Sequence, residues 1–188
     1  MDIRVYLNNG DIRDFSQPDP VLEQATLAEL NAAKLFASPS LILGSGATCT
    51  LLQPAAISRI DVVSTAPLQI PSTFNEQVQI IEDEEVFRLR SKAAAKAFRE
   101  GIAPGEKYVG YLSFDLAGGH SLMLELQRML KDQLQFFTNL NRILEIPLMS
   151  FPHPRGGAVF LNVRNVVSVT AAPGFAEYPK GALAVELL

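Results

Sequence analysis

The chain has 188 residues, 48% hydrophobic and 19% charged, with 16 basic against 20 acidic side chains. That is enough apolar material to bury a core without a metal or disulfide staple, and its net charge of −4 argues against a nucleic-acid groove, which needs clustered positive charge. The single cysteine, Cys49, excludes an internal disulfide and fits a reducing, cytoplasmic setting; Asp2, Arg4, Asp11, Arg13 and Asp14 interrupt any apolar core of an export signal, and no apolar run approaches the roughly 20 residues that span a bilayer, so no membrane association is expected.

Ile3-Arg4-Val5-Tyr6-Leu7 alternates apolar with polar side chains and runs into Asn8-Asn9-Gly10-Asp11, which predicts an opening strand closed by a turn. Asp19-Pro20 is a helix start, because the carboxylate can accept free backbone N–H groups and proline suits the first helical position. The spacing predicts a helix from about Pro20 to Phe36, with Leu22, Ala25, Leu30, Ala33 and Phe36 along one side. Leu41-Ile42-Leu43, the turn Gly44-Ser45-Gly46 and Thr48 to Leu52 together predict a hairpin. Pro54 interrupts the apolar run that continues to Val63, which predicts a bend or an edge there.

A connector over 66–74 leads to a predicted strand at Val78 to Ile81. Glu82 to Glu85 then precede Arg88, Arg90, Lys92, Lys96 and Arg99, an order that complements a helix dipole, and Gly101 and Pro104 stop the helix. Tyr108 to Phe114 reads as a strand broken by Ala117-Gly118-Gly119-His120. Beyond it Leu122, Leu126, Met129, Leu130, Phe137, Leu140 and Leu144 fall on one helical face, predicting a long helix capped by Ser121. Strands at 146–150, 158–161 and 165–170 follow, with a weak edge at 182–188.

The order of elements suggests an internal repeat. Leu51-Leu52-Gln53 with Ile57 and Ile60 matches Phe160-Leu161-Asn162 with Val166 and Val169 at an offset of 109, and Leu41 to Leu43 matches Pro147 to Met149 at an offset of 106. The expected fold is α+β: two related βαββ-type halves, residues 1–81 and 105–188, with a linker helix over 82–104, mainly antiparallel sheet, and helices on one face. Such halves need to pack on each other or on a second chain.

Few residues suggest chemistry. His120 and His153 are the only histidines, and with Asp115 they are candidates for acid–base work, although their spacing matches no metal signature and no metal is expected. Gly119 and Ser121, at the expected helix start, and Arg155, beside Gly156-Gly157, are candidates for holding an anion. No cofactor motif is present. The sequence therefore leads to the expectation of a non-catalytic binding, regulatory or assembly module, acting as a homo-oligomer or on a protein partner. The alternatives are a small-molecule enzyme with a site between the halves built from His120, His153, Asp115 and Arg155, and a subunit of a larger assembly.

Overall fold

The computed structural model describes residues 1–30, 32–44, 47–68, 77–101, 107–129, 143–173 and 183. The first strand, β1 (Asp2–Leu7), turns at Asn8–Asp11 and returns as β2 (Ile12–Ser16), a strand the sequence reading does not anticipate because Arg13 and Asp14 place charges on both of its faces. Asp19 Oδ1 accepts the Val21 and Leu22 N–H groups and starts α1 (Pro20–Glu29). The single helix expected to Phe36 is divided: Leu30 is extended, and a short α2 (Ala32–Leu35) follows.

The expected hairpin is present as β3 (Leu41–Gly44) and β4 (Cys49–Leu52), and the bend at Pro54 is a 3-10 turn, Pro54–Ala56, leading into β5 (Ile57–Val63). Next come β6 (Gln77–Ile81) and α3 (Glu84–Glu100), whose first turn is capped by Asp83 accepting the Val86 N–H and which Gly101 ends at φ +101°. The remainder is β7 (Lys107–Leu116), β8 (Ser121–Met129), β9 (Leu148–Pro152), β10 (Gly157–Asn162), a 3-10 turn at Val163–Asn165, and β11 (Val166–Ala172). The closing edge expected at 182–188 lies outside the described residues except for Leu183.

The fold is α+β with antiparallel sheets. One sheet has the order β2-β1-β5-β10-β9, a second β11-β7-β8-β6, and β3-β4 form a separate ribbon. The chain therefore crosses itself: β9 and β10, from the second half, extend the sheet begun by β1, β2 and β5, while β6 pairs with β8. No helix among the described residues is long and apolar enough to cross a membrane.

Two expectations are corrected here. Ser121 opens a strand, not a helix, and Leu130, Phe137 and Leu140 of the expected stripe lie outside the described residues, while Leu144 is exposed. A spacing of four fits a helix and also two strand periods, and the strand reading adds Leu124 to Leu122 and Leu126, all buried in one core. On its other face Met123 packs with Ile81, Tyr111, Val86 and Phe87, followed by Glu125 and Gln127, so the strand alternation is present but coincides with a helical spacing of four. The βαββ description is also too short, because each half opens on a hairpin, β1-β2 or β7-β8, and carries a 3-10 turn and strand after its second hairpin.

The ladders of the two halves share one register. Adding 109 to each residue number turns Asp2↔Ser16 and Tyr6↔Ile12 into Tyr111↔Glu125 and Asp115↔Ser121. The same shift turns every β1-β5 pair, from Asp2↔Val63 to Leu7↔Ile57, into the β7-β11 pairs from Tyr111↔Ala172 to Leu116↔Val166, with the irregularity before the last pair in both. Both 3-10 turns obey it, as do the bonds from Asn8 N–H to Ala56 O and from Ala117 N–H to Asn165 O, each 2.9 Å. In the β9-β10 hairpin Met149 faces Leu161 as Leu41 faces Leu52, so the upstream strands correspond at 108, and the offset of 106 read from sequence is corrected.

Candidate functional site

Strand periodicity places Ile60 and Val62 on one face of β5 and Arg59 and Asp61 on the other. The apolar pair joins Ile3, Val5 and Phe160 in the core of the first sheet. Arg59 and Asp61 face the second half, where Leu161 and Val159, their ladder partners on β10, already belong to the other core. Two opposite charges are thus carried into the contact between the sheets.

There they neutralise each other. Arg59 Nε and Nη2 donate to the two oxygens of Asp61 at 2.6 and 2.8 Å, a two-point fork, with side chains only 10% and 7% exposed. Tyr6, the cross-strand partner of Arg59, donates its hydroxyl to Asp61 Oδ2 at 3.2 Å and lies beneath the guanidinium, 4.7 Å from ring centroid to Cζ. Burial, above all, raises the Tyr6 pKa, so the phenol stays protonated and remains a donor to Asp61. Arg59 Nη1 donates to the Ser121 carbonyl at 3.2 Å, tying this cluster to the turn between β7 and β8.

The turn and the strand ends beside it carry four of the residues suggested by the sequence. His120 stands edge-on to Tyr6 with ring centroids 5.1 Å apart, and its Nε2 is buried with no hydrogen-bond partner among the described residues. Ser121 contributes its carbonyl, not a cap. Gly119, at φ +80°, shapes the turn. Asp115 points elsewhere, accepting a hydrogen bond from the Ser168 hydroxyl on β11.

His153 and Arg155 occupy the turn between β9 and β10, at the Val63 end of β5 and not at the Arg59 end. His153 is buried, its Nδ1 accepts the Arg155 N–H at 3.1 Å, and burial, more than any neighbouring charge, holds its pKa below the ordinary histidine value. Arg155 borders a cleft of about 280 Å³ with Arg4, Asp14 and Asp61. Arg4 and Asp14 pair across β1-β2 at 2.7 Å. Asp61 touches both surroundings: it bonds Tyr6 and Arg59 at one end and lines the cleft at the other.

Comparison of the chain with family models, with curated proteins and with solved structures gives no match. The chemistry of the site has to be read from its own residues. Among the described residues no group of three or more His, Cys, Asp and Glu side chains is placed to hold a metal ion. Tyr6, Arg59 and Asp61 were missed in the sequence, where the usable signal was a pair of opposite charges two positions apart inside the apolar run Ile57 to Val63.

Proposed function

We propose that the chain is a non-catalytic assembly module: two copies of one hairpin-hairpin-turn-strand unit, produced by internal duplication, that associates with further copies of itself. The shared register of β1-β2-β5 and β7-β8-β11 supports the duplication, down to the position of the irregularity in each ladder. Unequal coverage of equivalent strands supports the association. β5 is buried along nearly its whole length, whereas β11, in the same register on its own partner, is open or half-open at most positions.

The buried polar groups fit this reading. Arg59, Asp61, Tyr6 and the Ser121 carbonyl bond one another, an arrangement that fixes how the halves meet. A second reading, a small-molecule site between the halves, draws on His120, whose ring meets Tyr6 edge-on and whose buried Nε2 has no hydrogen-bond partner among the described residues. Light scattering on the purified chain over a wide concentration range tests the first reading: a mass that is a multiple of 20.5 kDa is expected, and a monomer throughout overturns it.

A further inference from the structure

We infer that the β4 edge of one copy pairs antiparallel with the β11 edge of a second copy, in the register that β10 and β5 already use inside each chain. This deepens the assembly reading above and rests on it. The internal contact supplies the template. Ala158, Phe160 and Leu161 of β10 face Val62, Ile60 and Arg59 of β5, and removing 109 from the first set and adding it to the second gives Cys49, Leu51 and Leu52 facing Ala171, Val169 and Ser168. Among the described residues β4 pairs only with β3 and β11 only with β7, so the reciprocal contact is unmade within the chain.

Burial at matched positions agrees with this. Phe160, 1% exposed, inserts from the second half into the core of the first; its counterpart Leu51 is 66% exposed. Ser58 is fully buried where its counterpart Val167 is 73% exposed, and Ser150 is buried where Ile42, opposite Leu51 on β3, is 60% exposed. Leu51 therefore sits where the same contact, when made, covers the residue, and Ile42 and Val167 lie beside the two edges that it would join. The edges are also unguarded: β2, at the rim of the first sheet, carries Arg13 and Asp14, whereas Cys49–Leu52 and Val166–Ala172 contain neither charge nor proline.

The contact is heterologous, since one copy gives β4 and the next gives β11. Each added copy leaves one edge of each kind open until a ring closes, and otherwise the assembly grows as a filament. Apolar burial of Leu51, Ile42 and Val167 drives it, and ladder hydrogen bonds set its direction.

The register is tested through the native thiol. Directly opposite residues of an antiparallel pair lie about 4.5–5.5 Å apart at Cα, within the range of about 4.4–6.8 Å that a disulfide spans. Ala171→Cys is expected to form, under mild oxidation, a disulfide with Cys49 of a second copy, read on a non-reducing gel as a ladder in steps of 20.5 kDa. The ladder should vanish in the variant that also carries Cys49→Ser, and Ser168→Cys, which sits opposite Leu52 in this register, should give none.

A cross-link inside a single chain would overturn the second copy as occupant. If light scattering shows an oligomer but Ala171→Cys gives no link to Cys49, the register is overturned while the assembly reading stands, and a monomer would overturn both. Leu51→Lys, at a side chain exposed in the single chain, reads the same contact without threatening the fold: the mass should fall to 20.5 kDa, and an undiminished assembly counts against the proposal.

Discussion

Phe160 and Leu51 occupy the same place in the two halves, and the structure assigns them opposite energetics. Phe160 is buried against Ile57, Ile60 and Val62, so Phe160→Ala removes a ring from a closed core and should cost about 3–5 kcal/mol. Fully burying a leucine is worth about 1.5–3 kcal/mol, and Leu51, 66% exposed, retains about a third of that, so Leu51→Ala should cost less than about 1 kcal/mol in the dilute single chain. Urea unfolding followed by far-UV circular dichroism, at a concentration where light scattering reports a monomer, measures both. Repeating it at high concentration adds the assembly term, and Leu51→Ala should then lose more stability than it does when dilute. Equal losses for the two variants in the dilute chain would refute the argument, since Leu51 would then be buried within its own copy.

Asp61→Asn strands the Arg59 charge between the sheets and should cost about 3–5 kcal/mol, while the double replacement Arg59→Met with Asp61→Leu should restore much of it; chemical denaturation of the three variants decides. The buried neutral His153 takes up a proton less readily when folded than when unfolded, so the unfolded chain binds more protons and stability should fall as pH drops below about 6.5. His153→Asn, which can still accept the Arg155 N–H two residues on, should flatten that part of the pH profile of the melting temperature, and an unchanged profile would exclude His153 as its source. Gly118 and Gly119 both have positive φ, but a Cβ on Gly118 would overlap the Leu7 carbonyl and the Gly10 N–H, whereas one on Gly119 meets nothing within 4 Å. Gly119→Ala should therefore cost about 1–2 kcal/mol and Gly118→Ala clearly more, measured by thermal unfolding.

Local signals were legible in the sequence wherever they were strong. Asp19-Pro20 and the acidic run Glu82 to Glu85 announce two helices, Gly101 an end, and Pro54 the bend before β5. The strand β8 is concealed because Leu122 and Leu126 also satisfy a helical spacing of four, although Leu122, Leu124 and Leu126 alternate with Met123, Glu125 and Gln127. Nor could any local pattern disclose that β10 leaves its own half to pair with β5, since pairing order is decided by packing over long separations. The site shares that limit. His120 is legible as a loop histidine, but its neighbour Tyr6, and the Arg59 and Asp61 bonded to one another beside that ring, lie far away in sequence and look, residue by residue, like the polar face of ordinary strands.

The crossing of β10 onto β5 also orders events during synthesis. When the ribosome has made the first half, β5 has only β1 beside it, and Ile60 and Val62 face a core that still lacks Ala158 and Phe160. Translation must continue for nearly a hundred residues before Val62 meets Ala158, so the nascent chain carries an unfinished apolar sheet over that stretch. A fragment ending before β9 is therefore expected to refold poorly, its β5 lacking the β10 partner.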